Sequence, residues 1–322
     1  MNPKEDFKYA LECKTPHNSI PHWELEFHLW EKYSGKNFYV GEEFLKLNTT
    51  EKDIALNKNA EIIAFVSEML SFSAITIPGN YWEIAPGKPA YWWMPEEYRI
   101  KQANILHRLI GKTIMLIANT GGVLGMPSAD NYLNFAVSLC ESPEVIDEIA
   151  LNTFKQGIES VNKFAEAGIQ TFLTASDIAD NSGPFFNPEQ MERFILPFLE
   201  QWSVHIKELS GLSILHSDGN LNLYLEHIIN SGVNALQAID PIAKMDIKRV
   251  KQQVGNKLCI CGNIDIGKLI TSSPESIYNE TKALLEFMKD KPGYILGASN
   301  AIQKEVPLQN YMALVEARYE FY

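Results

Sequence analysis

The segment His216-Ser217-Asp218-Gly219 places an imidazole and a carboxylate two residues apart. Alternate side chains of an extended chain share one face, so His216 and Asp218 are predicted to point the same way. Such a pair can bind a metal ion, or act as a base with its orienting acid. A purely structural contact between the two side chains explains an isolated H-x-D pattern equally well.

A second candidate is Cys259-Ile260-Cys261, whose two sulfurs would share one face of a strand. Cys261 lies near the end of that predicted strand, so we expect that its thiolate could join His216 and Asp218 as a metal ligand. The more common role of such a cysteine is that of a small buried hydrophobe. We expect free thiols, because a cytosolic chain of this length with four cysteines is a poor disulfide framework.

Near the N-terminus, the stretch from Trp23 to His28 alternates acidic and apolar residues. If it is extended, Glu24, Glu26 and His28 lie on one face, and Glu26 is the predicted catalytic member. The alternative is that these acids form a partly solvated rim.

Aromatic residues are concentrated between Tyr81 and Tyr98, in YWEIAPGKPAYWWMPEEY. We interpret this stretch as a long loop after the second strand, which covers a binding site. Tyr81, Trp82 and Trp92 would then contact a planar or hydrophobic substrate. A loop that packs its rings on the helices is the alternative.

The elements that must position these groups alternate in type along the chain. Short apolar runs that end in polar or Gly residues are separated by longer stretches of helical period, such as Ser142–Gly168 and Ser273–Asp290, which is typical of βα units. The predicted strands are Ile20–Phe27, Ala74–Pro78, Thr113–Asn119, Ile169–Ala175, Leu212–His216, Ala235–Asp240, Lys257–Gly262 and Tyr294–Gly297. About eight parallel strands close a barrel.

We therefore predict one α/β domain over residues 1–322, a (β/α)8 TIM barrel with N-terminal helical additions and a long loop after strand 2. A doubly wound open sheet shows the same alternation, but its nucleotide-binding versions carry a Gly-rich turn that this sequence lacks.

Polar residues follow nearly every predicted strand, and in a barrel the strand C-termini meet at one mouth. The predicted catalytic residues are Glu26, Asp177, His216 and Asp218, and the predicted substrate-binding amides are Asn119, Asn263 and Asn300. Further polar groups at the predicted rim are Glu24, Glu83, Asp180, Asp240, Asp265 and Ser299.

The overall charge excludes some classes of partner. A formal net charge of -12 with no basic run disfavours nucleic acid, because the surface repels phosphate groups. The first residues lack the apolar core of a signal peptide, and no stretch approaches about 18 apolar residues, so we expect a cytoplasmic protein without a membrane segment.

Several motifs together resemble the uroporphyrinogen decarboxylase superfamily. They are HSDG at 216–219, P-I-x-x-x-D from Pro241 to Asp246, GNKLCICGNID from Gly255 to Asp265, and YILGASNAI followed by VPLQN. The likeness extends back through Ser176–Trp202. It implies a (β/α)8 barrel and one of two activities: decarboxylation of uroporphyrinogen without a cofactor, or methyl transfer to or from a corrinoid on a partner protein.

The resemblance also indicates which activity to expect. Decarboxylases of this superfamily begin with a segment whose arginines bind substrate carboxylates, whereas this chain has Glu24 and Glu26 there. Acids would repel a polycarboxylate. Methyltransferases that serve coenzyme M bind zinc through H-x-C and a later Cys, and these positions correspond here to His216-Ser217-Asp218 and Asn300. A thiolate-rich site is lost, and oxygen ligands suit the polarisation of an ether or alcohol oxygen.

The chain therefore resembles a methyltransferase that moves a methyl group from a methoxylated, aromatic small-molecule donor to the cob(I)alamin of a partner corrinoid protein. Zn²⁺ held by His216, Asp218 and Cys261 remains a candidate cofactor, and a homodimer remains open. The alternatives are a decarboxylase of a uroporphyrinogen-like carboxylated substrate, a methylcobamide:coenzyme M-type methyltransferase, and a non-catalytic subunit that binds a corrinoid protein.

Overall fold

A computed structural model describes residues 2–16, 19–80 and 92–321. Tyr81 and Trp82 lie outside the described residues. The described chain contains a parallel sheet whose strands pair in sequence order. The strands are β1 (Ala74–Thr76), β2 (Met115–Asn119), β3 (Thr171–Ala175), β4 (Leu212–His216), β5 (Ala235–Gln237), β6 (Cys259–Cys261) and β7 (Tyr294–Ile295).

The segment after Ile20 connects the two edges of this sheet. The Trp23 N–H donates to the Leu296 carbonyl at 3.0 Å, and the Leu296 N–H donates to the Pro21 carbonyl at 2.9 Å. On the other side, the Ser73 N–H donates to the His22 carbonyl at 2.9 Å. Together with the strand order, these bonds give the α/β architecture that was predicted, similar to a TIM barrel. The predicted strand Ile20–Phe27 forms isolated bridges instead of a continuous ladder.

Helices surround the sheet and alternate with its strands. They are α1 (Pro3–Leu11), α2 (Trp30–Ser34), α3 (Gly41–Leu45), α4 (Thr49–Met69), α5 (Glu96–Leu109), α6 (Tyr132–Glu141), α7 (Pro143–Glu166), α8 (Pro188–Gln190), α9 (Leu196–Glu208), α10 (Leu225–Asn230), α11 (Ile247–Val254), α12 (Ile266–Thr271), α13 (Pro274–Met288) and α14 (Leu308–Tyr319). None of the helices in the described ranges is both long and apolar enough to cross a membrane.

The core has two layers, which follow from the alternation of side chains along each strand. In β2, Met115 and Ile117 belong to the cluster inside the sheet, whereas Leu116 and Ala118 belong to the larger cluster under the helices. Helix α1 closes the N-terminal end of the strands, where its Phe7 joins the inner cluster. The opposite, C-terminal end of the strands is therefore the one that remains for a site.

Several strands end earlier than predicted, and β5 shows why. The predicted strand runs to Asp240, but Ala238 and Ile239 have φ angles of 107° and 48°. Positive φ angles are incompatible with an extended strand. The chain turns there, and Gln237 becomes the last residue of β5. This early turn places the Gln237 side chain at the C-terminal edge of the sheet.

Candidate functional site

A cavity of about 540 Å³ lies at the C-terminal ends of β2, β3 and β4. Most of its polar lining comes from residues at or just beyond these strand ends. The polar side chains that line it are Glu26, Asn80, Asn119, Thr120, Ser176, Asp177, His216, Asp218 and Asn300. Six of the residues that the sequence predicts for catalysis or substrate binding, His216 among them, therefore meet in one place, as expected for strand C-termini.

His216, the last residue of β4, is buried and has one ring nitrogen fixed by Gln237. Nδ1 of His216 forms a hydrogen bond with Oε1 of Gln237, across the paired strands β4 and β5. The Gln237 amide nitrogen donates to the carbonyls of Ala298 at 3.2 Å and Ser299 at 3.4 Å. These contacts leave Nε2 as the ring atom that faces the cavity.

Two carboxylates face Nε2 of His216. Asp177 Oδ1 lies 3.6 Å from Nε2, and Asp218 Oδ2 lies 4.0 Å from it. The Asp218 N–H donates to Asp177 Oδ1 at 2.9 Å, which ties the end of β3 to the end of β4. The side chain of Asp177 is 48% exposed, so solvent and solutes can reach this group.

The glycine that ends the HSDG motif is required by its surroundings. Gly219 has a φ of +89°, and a Cβ there would lie 2.3 Å from the Ala179 carbonyl oxygen. Its N–H donates to Asp240 Oδ2 at 3.3 Å, so Asp240 supports this turn and is not among the residues that line the cavity. Asn300 completes the support, because its Nδ2 donates to Asp218 Oδ2 at 2.5 Å.

The Asp218 carboxyl is easier to protonate than an ordinary aspartate. Its pKa is raised to about 6, mainly by burial; the carboxylates of Asp177 and Asp240 also raise this pKa, whereas His216 and the Asn300 amide lower it. The charge of the group therefore depends on what binds between these side chains.

Glu26 is a buried carboxyl on the wall of the cavity. Burial raises its pKa to about 8, although the Trp92 indole N–H and the Arg99 charge both lower it. Trp92 Nε1 donates to Glu26 Oε2 at 3.1 Å, and Oε1 has no hydrogen-bond partner in the described chain. At neutral pH Glu26 is mostly protonated, which makes it a proton donor.

Comparison with known proteins identifies the family. The family described as Uroporphyrinogen decarboxylase (URO-D) matches residues 97–321. The chain belongs to this family. Its candidate site, with His216, Ser217 and Asp218, is thus that of a URO-D family chain.

Two relatives with different activities are similar to this URO-D family chain. "Uroporphyrinogen decarboxylase" of Carboxydothermus hydrogenoformans is 26% identical over 236 residues, 70% of this chain and 65% of that protein. "Methylcobamide:CoM methyltransferase MtaA" of Methanosarcina barkeri is 23% identical over 228 residues, 69% of this chain and 63% of that protein. The chain thus spans less than two thirds of the length of the curated relatives it matches.

A solved structure gives the same fold. A "methyltransferase from Methanosarcina mazei" superimposes with a TM-score of 0.73 at 18% identity, over 100% of this chain and 99% of that chain. At this identity the likeness establishes the fold and not the reaction.

The structure does not gather all the residues that the sequence proposed for the site. Cys261 is buried in the inner apolar cluster with Cys259, outside the group of Asp177, His216 and Asp218. The registers pair His216 with Gln237 and Gln237 with Cys261, so two strand spacings, roughly 10 Å in total, separate the histidine from the cysteine.

Three other predicted residues have different surroundings from those expected. Asn263 does not line this cavity; its Nδ2 donates to the Ile239 carbonyl at 2.7 Å. Trp92 is buried against Phe38 and His28, and it contacts Glu26 instead of lining the cavity. Glu24 points away from the cavity, because its Oε1 accepts hydrogen bonds from His22 and Tyr311.

Two buried residues of the site are absent from the sequence-based prediction. Gln237 could have been found, because a polar side chain at an inward strand position requires a buried partner. Arg99 gave no such signal: it lies within the amphipathic helix α5, and its guanidinium donates to the Asn119 carbonyl at 2.6 Å.

The ligand atoms near His216 suit a divalent cation that prefers nitrogen and oxygen ligands better than one that prefers sulfur. One ligand atom each from Asp177, His216 and Asp218 can be chosen so that all lie within 4.8 Å of one another. The set combines one imidazole nitrogen with carboxylate oxygens, and no sulfur is part of it. Such a set suits zinc and other borderline or harder divalent ions.

Proposed function

We propose that this protein is a methyltransferase that moves a methyl group from a methoxylated small molecule to the corrinoid of a partner protein. The observation that carries the proposal is Glu26, a buried carboxyl on the cavity wall whose pKa is raised to about 8 and whose Oε1 has no hydrogen-bond partner among the described residues. Cleavage of a methyl ether leaves charge on an oxygen, and a nearby acid removes that charge.

The proton balance is simple. The bond between the methyl carbon and the ether oxygen breaks, and Glu26 gives its proton to that oxygen, so the product leaves as an alcohol or phenol. Glu26 then regains a proton from water. A reduced corrinoid supplies the nucleophile that accepts the methyl group.

The histidine and the two aspartates would assist the cleavage of the same carbon–oxygen bond. A divalent cation held by Asp177, His216 and Asp218 would act as a Lewis acid toward the donor oxygen. Asn300 orients Asp218 through its amide, and Asn119 and Asn80 offer amide groups to a polar donor.

The charge of the cavity favours methyl transfer over decarboxylation of a polycarboxylate. Among the described residues that line the cavity, none is Lys or Arg, and three are carboxylic acids. A polyanionic substrate would meet two carboxylates without a cationic anchor. The similarity to the MtaA methyltransferase supports the same choice.

An anaerobic assay tests the function. Purified protein is mixed with cob(I)alamin and a panel of donors, namely 2-methoxyphenol, methoxybenzene and methanol, and the absorbance of methylated cobalamin is followed. We expect methylation from at least one of the two methyl ethers, strongly reduced in E26Q and unchanged in E43Q, which alters an exposed glutamate of α3. No methylation from any donor would refute the proposal, and release of carbon dioxide from a carboxylated substrate would then favour a decarboxylase.

A further inference from the structure

The imidazole of His216 is held between two kinds of neighbour that favour different tautomers. On the cavity side, the carboxylates of Asp177 and Asp218 lie 3.6 and 4.0 Å from Nε2 and would attract a proton to that nitrogen. On the strand side, Nδ1 meets the side chain of Gln237. The ring nitrogen that carries the proton decides what His216 can do in the cavity.

The contacts of Gln237 determine which of its amide atoms faces the histidine. Two backbone carbonyls, those of Ala298 and Ser299, lie 3.2 and 3.4 Å from the amide nitrogen. A flipped amide would place its oxygen against two carbonyl oxygens, which cannot donate. The oxygen must therefore face Nδ1 of His216, and an oxygen there requires a proton on Nδ1.

We propose that Gln237 is a positioning residue that keeps the His216 proton on Nδ1 and so leaves the Nε2 lone pair free to bind a divalent cation between Asp177 and Asp218. Gln237 is itself 2% exposed, so water cannot replace it as the acceptor for Nδ1. The consequence for catalysis rests on the proposed function, but the tautomer and the binding of the ion do not.

Three variants separate this role from a general loss of packing. Q237M keeps the length of the side chain and removes its acceptor. Q237E keeps an acceptor for Nδ1 and, when protonated, a donor for one carbonyl. Q102M is the matched control, because Gln102 is also fully buried and its Nε2 also donates to a backbone carbonyl, that of Leu56 at 3.1 Å.

The first measurement is long-range ¹H–¹⁵N NMR of metal-free protein labelled with ¹⁵N-histidine, with the His216 signals assigned by their loss in H216Q. We expect a protonated Nδ1 and an unprotonated Nε2 in the wild type, Q237E and Q102M. In Q237M the proton should move to Nε2, toward the two carboxylates. An unchanged Nδ1–H tautomer in Q237M would overturn the proposal.

The second measurement is the affinity for Zn²⁺, by competition with a chromophoric chelator. Loss of a contact that orients a ligand histidine weakens metal binding by about 10- to 100-fold. We expect such a loss in Q237M and a loss of less than about threefold in Q237E and Q102M. Equal losses in Q237M and Q102M would reduce Gln237 to a packing role. Failure of every methyl donor, with these two results intact, would refute the proposed function alone.

Discussion

At the scale of single residues, burial determines the chemistry that Glu26 can perform. Its folded-state pKa of about 8 lies well above the ordinary value, so the proton is present at neutral pH and is lost as the pH rises through about 8. Trp92 keeps the carboxyl in place through a 3.1 Å hydrogen bond.

We therefore predict that methyl transfer at saturating donor falls as the pH rises above about 8. In E26Q the rate should be lower by about 10²-fold or more, the usual contribution of a general acid, and this alkaline limb should disappear. The check is a pH–rate profile of both proteins. An alkaline limb that persists unchanged in E26Q would assign it to another group.

The same pKa has a consequence for stability with a definite sign. A carboxyl whose pKa is raised by folding stabilises the folded state at low pH, and this contribution declines as the pH rises from about 4.5 to about 8. E26Q should remove that decline from a series of urea-unfolding measurements, provided that the variant folds.

The two aspartates allow a separate prediction about metal. D177N and D218N each remove one charged oxygen from the group around His216, so Zn²⁺ affinity should fall by more than the roughly 10- to 100-fold typical of an indirect contact. D180N is the control, because Asp180 Oδ1 accepts the Ser182 N–H outside this group. Unchanged affinity in both D177N and D218N, measured by chelator competition, would show that the ion binds elsewhere.

At the scale of elements, regular strands were predictable and irregular segments were not. The predicted strand Leu212–His216 coincides with β4, because it is a short, mainly apolar run whose end is marked by polar residues. The same rule placed Glu24 and Glu26 on one face, but the segment around them forms only isolated bridges. There the local backbone decides the direction of each side chain, and Glu24 turns to Tyr311.

Ligand sets were harder to predict than strands. Cys261 lies two strand spacings away from His216. This distance depends on the order of the strands in the sheet, which the hydrophobic periodicity of the sequence does not reveal. Asp177 and His216 come together because β3 and β4 are neighbours, with Ala175 paired to His216. Any prediction of a metal site from motifs alone therefore needs the order of the strands.

Helix α7 can lie close to the loop after β2 because one of its residues is a glycine. A Cβ at Gly157 would lie 2.2 Å from the Gly122 Cα, in the loop whose Gly121 lines the cavity. Alanine would gain up to about 1 kcal/mol of helix propensity, but overpacking costs about 1–3 kcal/mol and must displace backbone. G157A should therefore destabilise the protein and raise the KM for the donor.

The control for G157A is N152A, an exposed position on the same helix, which should change the free energy of unfolding by less than about 0.5 kcal/mol. Both quantities are accessible from urea unfolding and steady-state kinetics. A G157A protein with higher stability and an unchanged KM would mean that helix α7 can move outward without disturbing the loop.

At the scale of the whole molecule, the helix that closes the sheet and the cavity of the candidate site lie at opposite ends of the strands. Helix α1 closes the N-terminal ends of the strands: the Lys4 N–H donates to the Thr113 carbonyl at 3.0 Å, and Phe7 meets Trp23 edge to face at 6.2 Å. The cavity with His216 lies at the C-terminal ends. The inner apolar cluster, which includes Ile214 and Leu173, separates the two.

This separation predicts that stability and the chemistry of the site can be changed independently. F7A removes a fully buried ring and should cost about 3–5 kcal/mol in the free energy of unfolding. Zn²⁺ affinity and KM, measured well below the unfolding temperature, should remain within about twofold of wild type, because close-packed strands lie between Phe7 and the cavity. A large change in Zn²⁺ affinity or in KM would show that closure of the N-terminal ends of the strands also determines the geometry around His216, since packed cores transmit strain.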